Sequence, residues 1–370
     1  MTTPGAAAVL PPTGPVLPGV ERIAVLRSNS IGDFVVAIPA LEALRAAYPD
    51  AEITYLGTHW HPELLAGRPG PWDRVVVVPP YPGVRGGQEN PRDSPQVRAF
   101  FAEQRRERYD IVVQLHGGGG NSNRFVSQLG ARLTVGSRGV GAPPLDRWIP
   151  YVYYQHEVLR FLEVVGRVGA PPVRLEPALA LTEADRSAAD AVLAPTAAPL
   201  VVLHPGATDP RRRWPAEHFA AVGDGLAARG VAVAVIGTGP EDRAAAAGLA
   251  AGMRTPPTDL TDRLALSGVV GLLARSVLLV GNDSGPRHLA AAVGTATVGI
   301  YWCGNLINAG PLTRIRHRVG VSFRTSCPAC GRDQGAGRCP HDPSFVADVP
   351  VADVLRDVLD LYDAEVGTAP

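Results

Sequence analysis

The sequence contains no lysine. All 35 of its basic residues are arginine, and 35 Asp and Glu bring the formal net charge to zero. No global positive field therefore draws the protein to nucleic acid. Long apolar runs are missing too, and none approaches the roughly 18–20 residues of a membrane span. Cysteine is scarce, four in 370 residues, which excludes a disulfide-built scaffold. Residues 1–19 are rich in Pro and Gly and lack the basic start of a signal peptide, so they predict a disordered tail on a cytoplasmic protein. What remains is an ordinary globular balance of 46% hydrophobic and 19% charged residues. The length exceeds one typical core and predicts two domains.

Strand-like and helix-like stretches alternate from Arg22 onward. Ile23–Leu26 reads as a strand, followed by Arg27-Ser28-Asn29-Ser30-Ile31-Gly32-Asp33 and a helical pattern from Phe34 to Ala47, which Pro39 should break. Glu52–Leu56, Val75–Val78 and Ile111–Leu115 read as strands, with an arginine-rich helix over Gln96–Arg108 and a glycine run at 117–120. Alternation of this kind predicts a parallel sheet covered on both faces, with sites at the carboxyl ends of its strands. That places Ser28, Asn29, Gly32 and Asp33 on one rim with His116 and Asn123. Tyr151–Val168 reads as one helix, and Thr182 as the cap of another.

The pattern repeats after a Pro/Ala linker at 194–199. Leu200–Leu203 and Val231–Ile236 are expected strands, and Val277–Gly299 carries the clearest motif. In that stretch a strand, Val277–Val280, runs through Gly281-Asn282-Asp283-Ser284-Gly285 into an Ala-rich helix opened by Pro286. Asp283 or Ser284 is placed to cap that helix. Its first N–H groups and its dipole suit an anion. The resulting division is a tail (1–19), a first α/β domain (20–180), a linker region (181–199), a second such domain (200–348), and a C-terminal helix and tail (349–370). The last helix is expected to pack back across the cleft.

Three blocks, RSNSIGDFVVAIPALEALRAAYP, LHPGATDPRRRWPAEHF and LLARSVLLVGNDSGPRHLAAAVGTATVGIY, resemble glycosyltransferase family 9, the ADP-heptose:lipopolysaccharide heptosyltransferases. The resemblance implies an α/β GT-B fold, two Rossmann-like domains with parallel sheets facing a cleft. It implies inverting, metal-independent sugar transfer from a nucleotide diphosphate donor, ADP-heptose or similar, to a glycan or glycolipid hydroxyl. Asp33 is then the general base. Thr208 and Arg212 match the family's phosphate-contacting Thr and Lys, and Arg for Lys keeps the charge but changes its shape. Ser284 and Gly285 would hold diphosphate oxygens and Asp283 the donor sugar, with His288 one turn further in. Glu241 is placed for the ribose, and Leu264 to close over the base. Arg211 or Arg213 remains an alternative to Arg212. His288 as a buried structural residue, and Asp33 as a helix cap, also stay open. Contact with the inner membrane surface would be peripheral.

Cys327, Cys330, Cys339 and His341 follow a C-x₂-C-x₈-C-x-H spacing that suits structural zinc, with reduced thiols as the other reading. No cofactor is expected for catalysis. A nucleotide-sugar epimerase and a non-catalytic nucleotide-sugar-binding protein are the rival functions. An NAD enzyme is disfavoured because neither Gly237-Thr238-Gly239 nor Gly117–Gly120 completes G-x-G-x-x-G.

Overall fold

The computed structural model describes residues 14–87, 89, 91–193, 198–333 and 338–367. Among them, short runs rich in Val, Ile and Leu form two six-stranded sheets in which every pairing is parallel. The first comprises β1 (Arg22–Leu26), β2 (Glu52–Gly57), β3 (Arg74–Val77), β4 (Ile111–Gln114), β5 (Leu133–Arg138) and β6 (Arg147–Pro150), in the order β3-β2-β1-β4-β5-β6. The second comprises β7 (Leu200–His204), β8 (Ala232–Val235), β9 (Thr258–Asp259), β10 (Leu278–Asn282), β11 (Ala296–Trp302) and β12 (His317–Ser322), in the order β12-β11-β10-β7-β8-β9. In each sheet the chain order reverses beside the first strand, at β1/β4 and at β7/β10. Loops diverge at such switch points and leave a crevice for ligands.

The helix expected over Phe34–Ala47 is two helices, α1 (Ile31–Val35) and α2 (Ile38–Ala47), with Pro39 in the first turn of the second, where its missing N–H is harmless. Then follow α3 (His61–Leu65), α4 (Pro95–Arg106), α5 (Ser122–Val126), α6 (Glu157–Gly166) and α7 (Glu183–Asp190). The later helices are α8 (Ala216–Ala227), α9 (Gly239–Gly252), α10 (Leu266–Arg275), α11 (Gly285–Ala292), α12 (Cys303–Ala309) and α13 (Val351–Gly367). α6 is shorter than expected because His156, not Tyr151, caps it: the His156 side chain accepts from the Val158 N–H.

Two expectations need correcting. Residues 1–13 of the supposed disordered tail lie outside the described residues, but 14–19 are docked. The Gly14 N–H donates to Gly166 O at 2.6 Å and the Leu17 N–H to the Tyr48 hydroxyl at 3.2 Å. Leu17 packs on the core, which a Pro/Gly composition alone does not reveal. The closing helix α13 packs on α8 and on β10, β11 and β12 of its own sheet rather than back across the cleft. Val354, Val358 and Leu361 bury one stripe there. Of the 181–199 linker region, 194–197 lie outside the described residues, while α7 is a capped helix packed on α10.

One hydrophobic cluster runs from the first sheet to the second through Phe34 and Leu41 on one side and Val270 and Leu289 on the other. Arg68, from the loop after α3, reinforces this junction with two hydrogen bonds, 2.7 and 2.8 Å, to the fully buried Asp185 of α7. No helix among the described residues is long and apolar enough to cross a membrane.

Candidate active site

β1 delivers its carboxyl end directly to the first turn of α1, and that turn carries Asp33. The Ser30 N–H and hydroxyl both donate to Asp33 Oδ2, at 3.1 and 2.7 Å. Arg27, 4% exposed, pairs with Asp33 Oδ1 and donates to Glu157 Oε2 at 2.7 Å. Glu157 in turn pairs with the buried Arg160. Two arginines and two carboxylates thus balance at the rim. Burial works to raise the Asp33 carboxyl, but Arg27 and then Ser30 outweigh it and hold it below the usual carboxylate range. The Ser28 N–H donates to His116 Nδ1 at 3.3 Å. Burial first, and Arg27 second, push His116 down to about 4, so its ring is neutral at pH 7.

The opposite wall comes from the loops after β7 and β10. Asn282, fully buried, donates to Pro205 O at 2.8 Å and accepts from the Trp214 N–H at 3.0 Å. One side chain therefore ties together both loops and the arginine run. Asn282→Leu should leave these buried backbone groups unpaired, at about 1–3 kcal/mol each. A lowered Tm together with weakened nucleotide binding is the expected result, and a variant melting as wild type would contradict this role.

Neither Asp283 nor Ser284 caps α11 as expected. The Ser284 hydroxyl lies 3.0 Å from His204 Nδ1 and donates to Asn282 O at 3.1 Å. The first turn of α11 is thereby left without a side-chain cap. Asp283 is buried, accepts from Arg212 Nη1 at 3.1 Å and lies 3.4 Å from His288 Nε2. Burial works to raise its carboxyl, and His288, Arg287 and Arg212 together hold it low. Burial and Arg287 push His288 down to about 4, so a neutral ring faces Asp283.

The three consecutive arginines point three ways, and none is a freely solvated side chain. Arg211 folds back on Asp209, Nη2 to Oδ2 at 2.5 Å. Arg212 reaches Asp283. Arg213 donates to Ala207 O at 2.8 Å and pairs with Glu241.

The two walls touch. A Cβ on Gly285 would lie 3.1 Å from Ile31 Cβ, and one on Gly32 2.8 Å from the His288 ring. Glycine at both positions lets the first turns of α1 and α11 approach closely. Beside this contact a cavity of about 730 Å³ is bordered by Ser30 and Ile31 on one side and by Thr208, Glu241, Leu264, Ser284 and Gly285 on the other. The structure thus gathers five of the eight expected donor residues around one space; Arg212 and Asp283 meet at the start of α11, and His288 borders a separate cavity of about 530 Å³. Ser28, Asn29 and His116 border a cavity of about 440 Å³ with Trp60 and Arg85. A second of about 440 Å³ lies against Gly117–Gly120, Arg27 and Glu157. Gly117 and Gly119 have φ of +64° and +87°, conformations that explain their glycine. Asn123 lies apart from these cavities: it is fully buried, and its amide donates to Ser137 O and Pro143 O, so its role is to hold the loop.

Arg27, Glu157, His204 and Asn282 were missed from sequence. Arg27, His204 and Asn282 stood inside the recognised blocks; Glu157 comes from a helix 130 positions from Arg27.

Cys327, Cys330, Cys339 and His341 bring their ligand atoms within 4.8 Å of one another. Gly331, at φ +72°, turns the chain so that its N–H reaches Cys327 O at 2.8 Å. Four ligands 2.0–2.3 Å from a common centre stand about 3.8 Å apart at tetrahedral angles, so this set fits one ion.

Two parallel Rossmann-like sheets with their switch points facing one cleft make a GT-B fold. The chain belongs to glycosyltransferase family 9 (heptosyltransferase), whose model matches residues 97–334. It is 26% identical over 319 residues to lipopolysaccharide heptosyltransferase 1 of Pseudomonas aeruginosa, covering 84% of this chain and 86% of that one. The family 9 glycosyltransferase of Veillonella parvula superposes with a TM-score of 0.75 at 22% identity, over 92% of this chain and 97% of that one. The Escherichia coli ADP-heptose lipopolysaccharide heptosyltransferase II superposes at 0.72 with 21% identity, over 94% and 99%. The protein is accordingly an enzyme, a glycosyltransferase.

Proposed function

We propose that the protein transfers a heptose-type sugar from ADP-heptose or a similar nucleotide diphosphate donor to a hydroxyl of a lipopolysaccharide-like glycolipid, with inversion at the anomeric carbon. The observation that carries this reading is the contact between the first turns of α1 and α11, which brings the turn carrying Asp33 against a helix start with no side-chain cap. In this reading residues 20–180 supply the acceptor side and 200–348 the donor side. Thr208, Arg212 and the Ser284-Gly285 turn bind the diphosphate, and Glu241 binds the ribose. Leu264 covers the base, and Asp283 with His288 orients the sugar.

Asp33 takes the acceptor proton as the oxygen attacks C1, and the C1–phosphate bond breaks toward α11. Its low pKa keeps it ionised, and the hydroxyl becomes acidic only as the new bond forms. Ser28, Asn29 and His116 border the acceptor's approach. Exposed Val152, Tyr153 and Tyr154 follow Tyr151, which borders the Gly117–Gly120 cavity, and they support peripheral contact with a membrane surface. The test is ADP release from ADP-heptose on adding acceptor, with the anomeric configuration of the product read by NMR. A product of retained configuration overturns the mechanism.

The charge that develops on the departing diphosphate falls to Arg212 and the α11 dipole, so no divalent ion is needed there. Turnover is expected to persist in EDTA. Loss in EDTA with full recovery on Mg²⁺ or Mn²⁺ alone would refute this. We assign the three-cysteine, one-histidine cluster a structural zinc. The purified protein should carry about one metal ion per chain by mass spectrometry. Cys327→Ser with Cys330→Ser should lose the ion and lower Tm; a metal-free wild type rules out the site.

A further inference from the structure

A cavity of about 530 Å³ lies behind the α1–α11 contact, against the last residues of both helices, Val35 and Val36 on one side and Ala291, Ala292 and Gly294 on the other. It shares no bordering residue with the 730 Å³ cavity at their first turns. Its volume is that of a small-molecule site. Val158 and Leu312 extend its apolar wall.

Arg287 also borders this space. It is 3% exposed, and its Nε has no hydrogen-bond partner. Nη2 donates to Ala309 O at 3.2 Å and lies 2.6 Å from His288 Nδ1. Among the described residues no carboxylate stands within 4.0 Å of the guanidinium, whose carbon lies 5.4 Å from the centre of the Tyr301 ring. The nearby Asp283 carboxylate is already engaged by Arg212 and His288. The other polar groups at this wall are also satisfied: Arg174 on Glu42 at 3.1 Å, His156 on Gly310 O at 2.8 Å, and His317 on Thr297 at 2.9 Å. A buried guanidinium that makes no ion pair of its own, and whose nearest carboxylate is shared with Arg212, is only partly compensated, and such a site favours an added anion.

We propose that this cavity is a second binding site for a small organic anion, one carboxylate or sulfonate head held by Arg287 and an apolar body filling the space between α1 and α11. A bare inorganic ion leaves the apolar walls unfilled, and a neutral hydrocarbon leaves Arg287 unpaired. Exposed Glu176, at the opening, directs the anionic head inward to Arg287. The inference is independent of the sugar and acceptor assigned above. The occupant would sit beside the Arg287–His288–Asp283 chain of contacts and so next to the donor cavity.

The test uses the full chain with 8-anilinonaphthalene-1-sulfonate as fluorescent probe and octanoate as competitor. One saturable site per chain, displaced by octanoate and not by ADP, is expected. Arg287→Gln and Ala291→Phe, which fills the cavity from α11, should each weaken it by about tenfold or more. Absence of saturable binding, displacement by ADP, or unchanged affinity in Ala291→Phe overturns the proposal. If Arg287→Gln fails to fold, Ala291→Phe decides alone, because its side chain fills space without removing a charge.

Discussion

Asp33→Asn is expected to bind the nucleotide diphosphate as wild type does and to lose turnover by about 10²–10⁴-fold, the usual worth of a general base. Asparagine is the sharper variant because Asp33 has two occupations. Its Oδ2 accepts from Ser30 and closes the first turn of α1, while Oδ1 meets Arg27. Alanine removes the cap as well as the base and should cost stability of about 0.5–2 kcal/mol. Asparagine keeps an oxygen for Ser30 and removes the proton acceptor, at the cost of the Arg27 ion pair; Arg27 retains Glu157, so Tm is measured alongside turnover. A residue that merely caps would leave Asp33→Asn active. Arg27 gives a second readout. The carboxyl titrates below its ordinary range, so the acid limb of kcat/KM should lie below the unperturbed value of about 3.9. Loss of Arg27 removes the largest influence lowering it. In Arg27→Gln the acid limb should therefore move to higher pH, and activity should fall first on the acidic side. An unmoved limb with lowered kcat would mean that Arg27 only supports the fold. Turnover near wild type in Asp33→Asn would end the assignment of the base.

The strands β1, β7 and β10 were legible because they are short apolar runs that open into Gly/Ser turns, a local pattern that tertiary context reinforces. β5, β6 and β12 were not. Leu133–Arg138 and Arg147–Pro150 flank a Pro-rich stretch that reads as loop, and β12 is half-buried and basic. Their strand state comes from the pairing of β5 with β4, β6 with β5 and β12 with β11, which no window of sequence contains. The rim positions of Ser28, Asn29, Asp33 and His116 followed from strand ends alone. Glu157 did not, since only the folded chain brings α6 to Arg27. Asn123 was misjudged for a related reason: a polar residue after a glycine run looks available to ligand, and only packing reveals that backbone carbonyls consume its amide. Ser284 shows the limit of capping rules. Its hydroxyl has two better-placed partners, His204 and Asn282 O, and they win over the helix.

Arg212→Ala is expected to weaken nucleotide diphosphate binding and to lower turnover further. The transition-state loss should be on the order of 2–4 kcal/mol, as for removal of one oxyanion donor. The diphosphate is charged before reaction and gains charge as the sugar leaves, so affinity and rate both suffer. The three arginines separate cleanly by partner. Arg211 belongs to Asp209 and lies 5.8 Å from the centre of the Phe345 ring. Arg211→Ala should therefore loosen that loop and lower Tm while leaving nucleotide affinity intact. Arg213 belongs to Ala207 O and Glu241. Arg212 alone reaches the start of α11, where Nη1 lies 3.1 Å from Asp283 Oδ2 and 3.2 Å from Asp283 O. Charge-assisted bonds of this kind are roughly twice as strong as neutral ones, and an incoming phosphate competes for the same donor. Asp283 keeps His288 and Arg287 beside it in the variant, so the protein should still fold. Arg212→Lys restores a cation of similar reach without the planar fork and should recover much of the affinity. Calorimetric titration of ADP into the three variants, with turnover measured alongside, checks the assignment. ADP binding lost in Arg211→Ala but kept in Arg212→Ala would shift the clamp by one residue. Wild-type binding in both would place the diphosphate elsewhere.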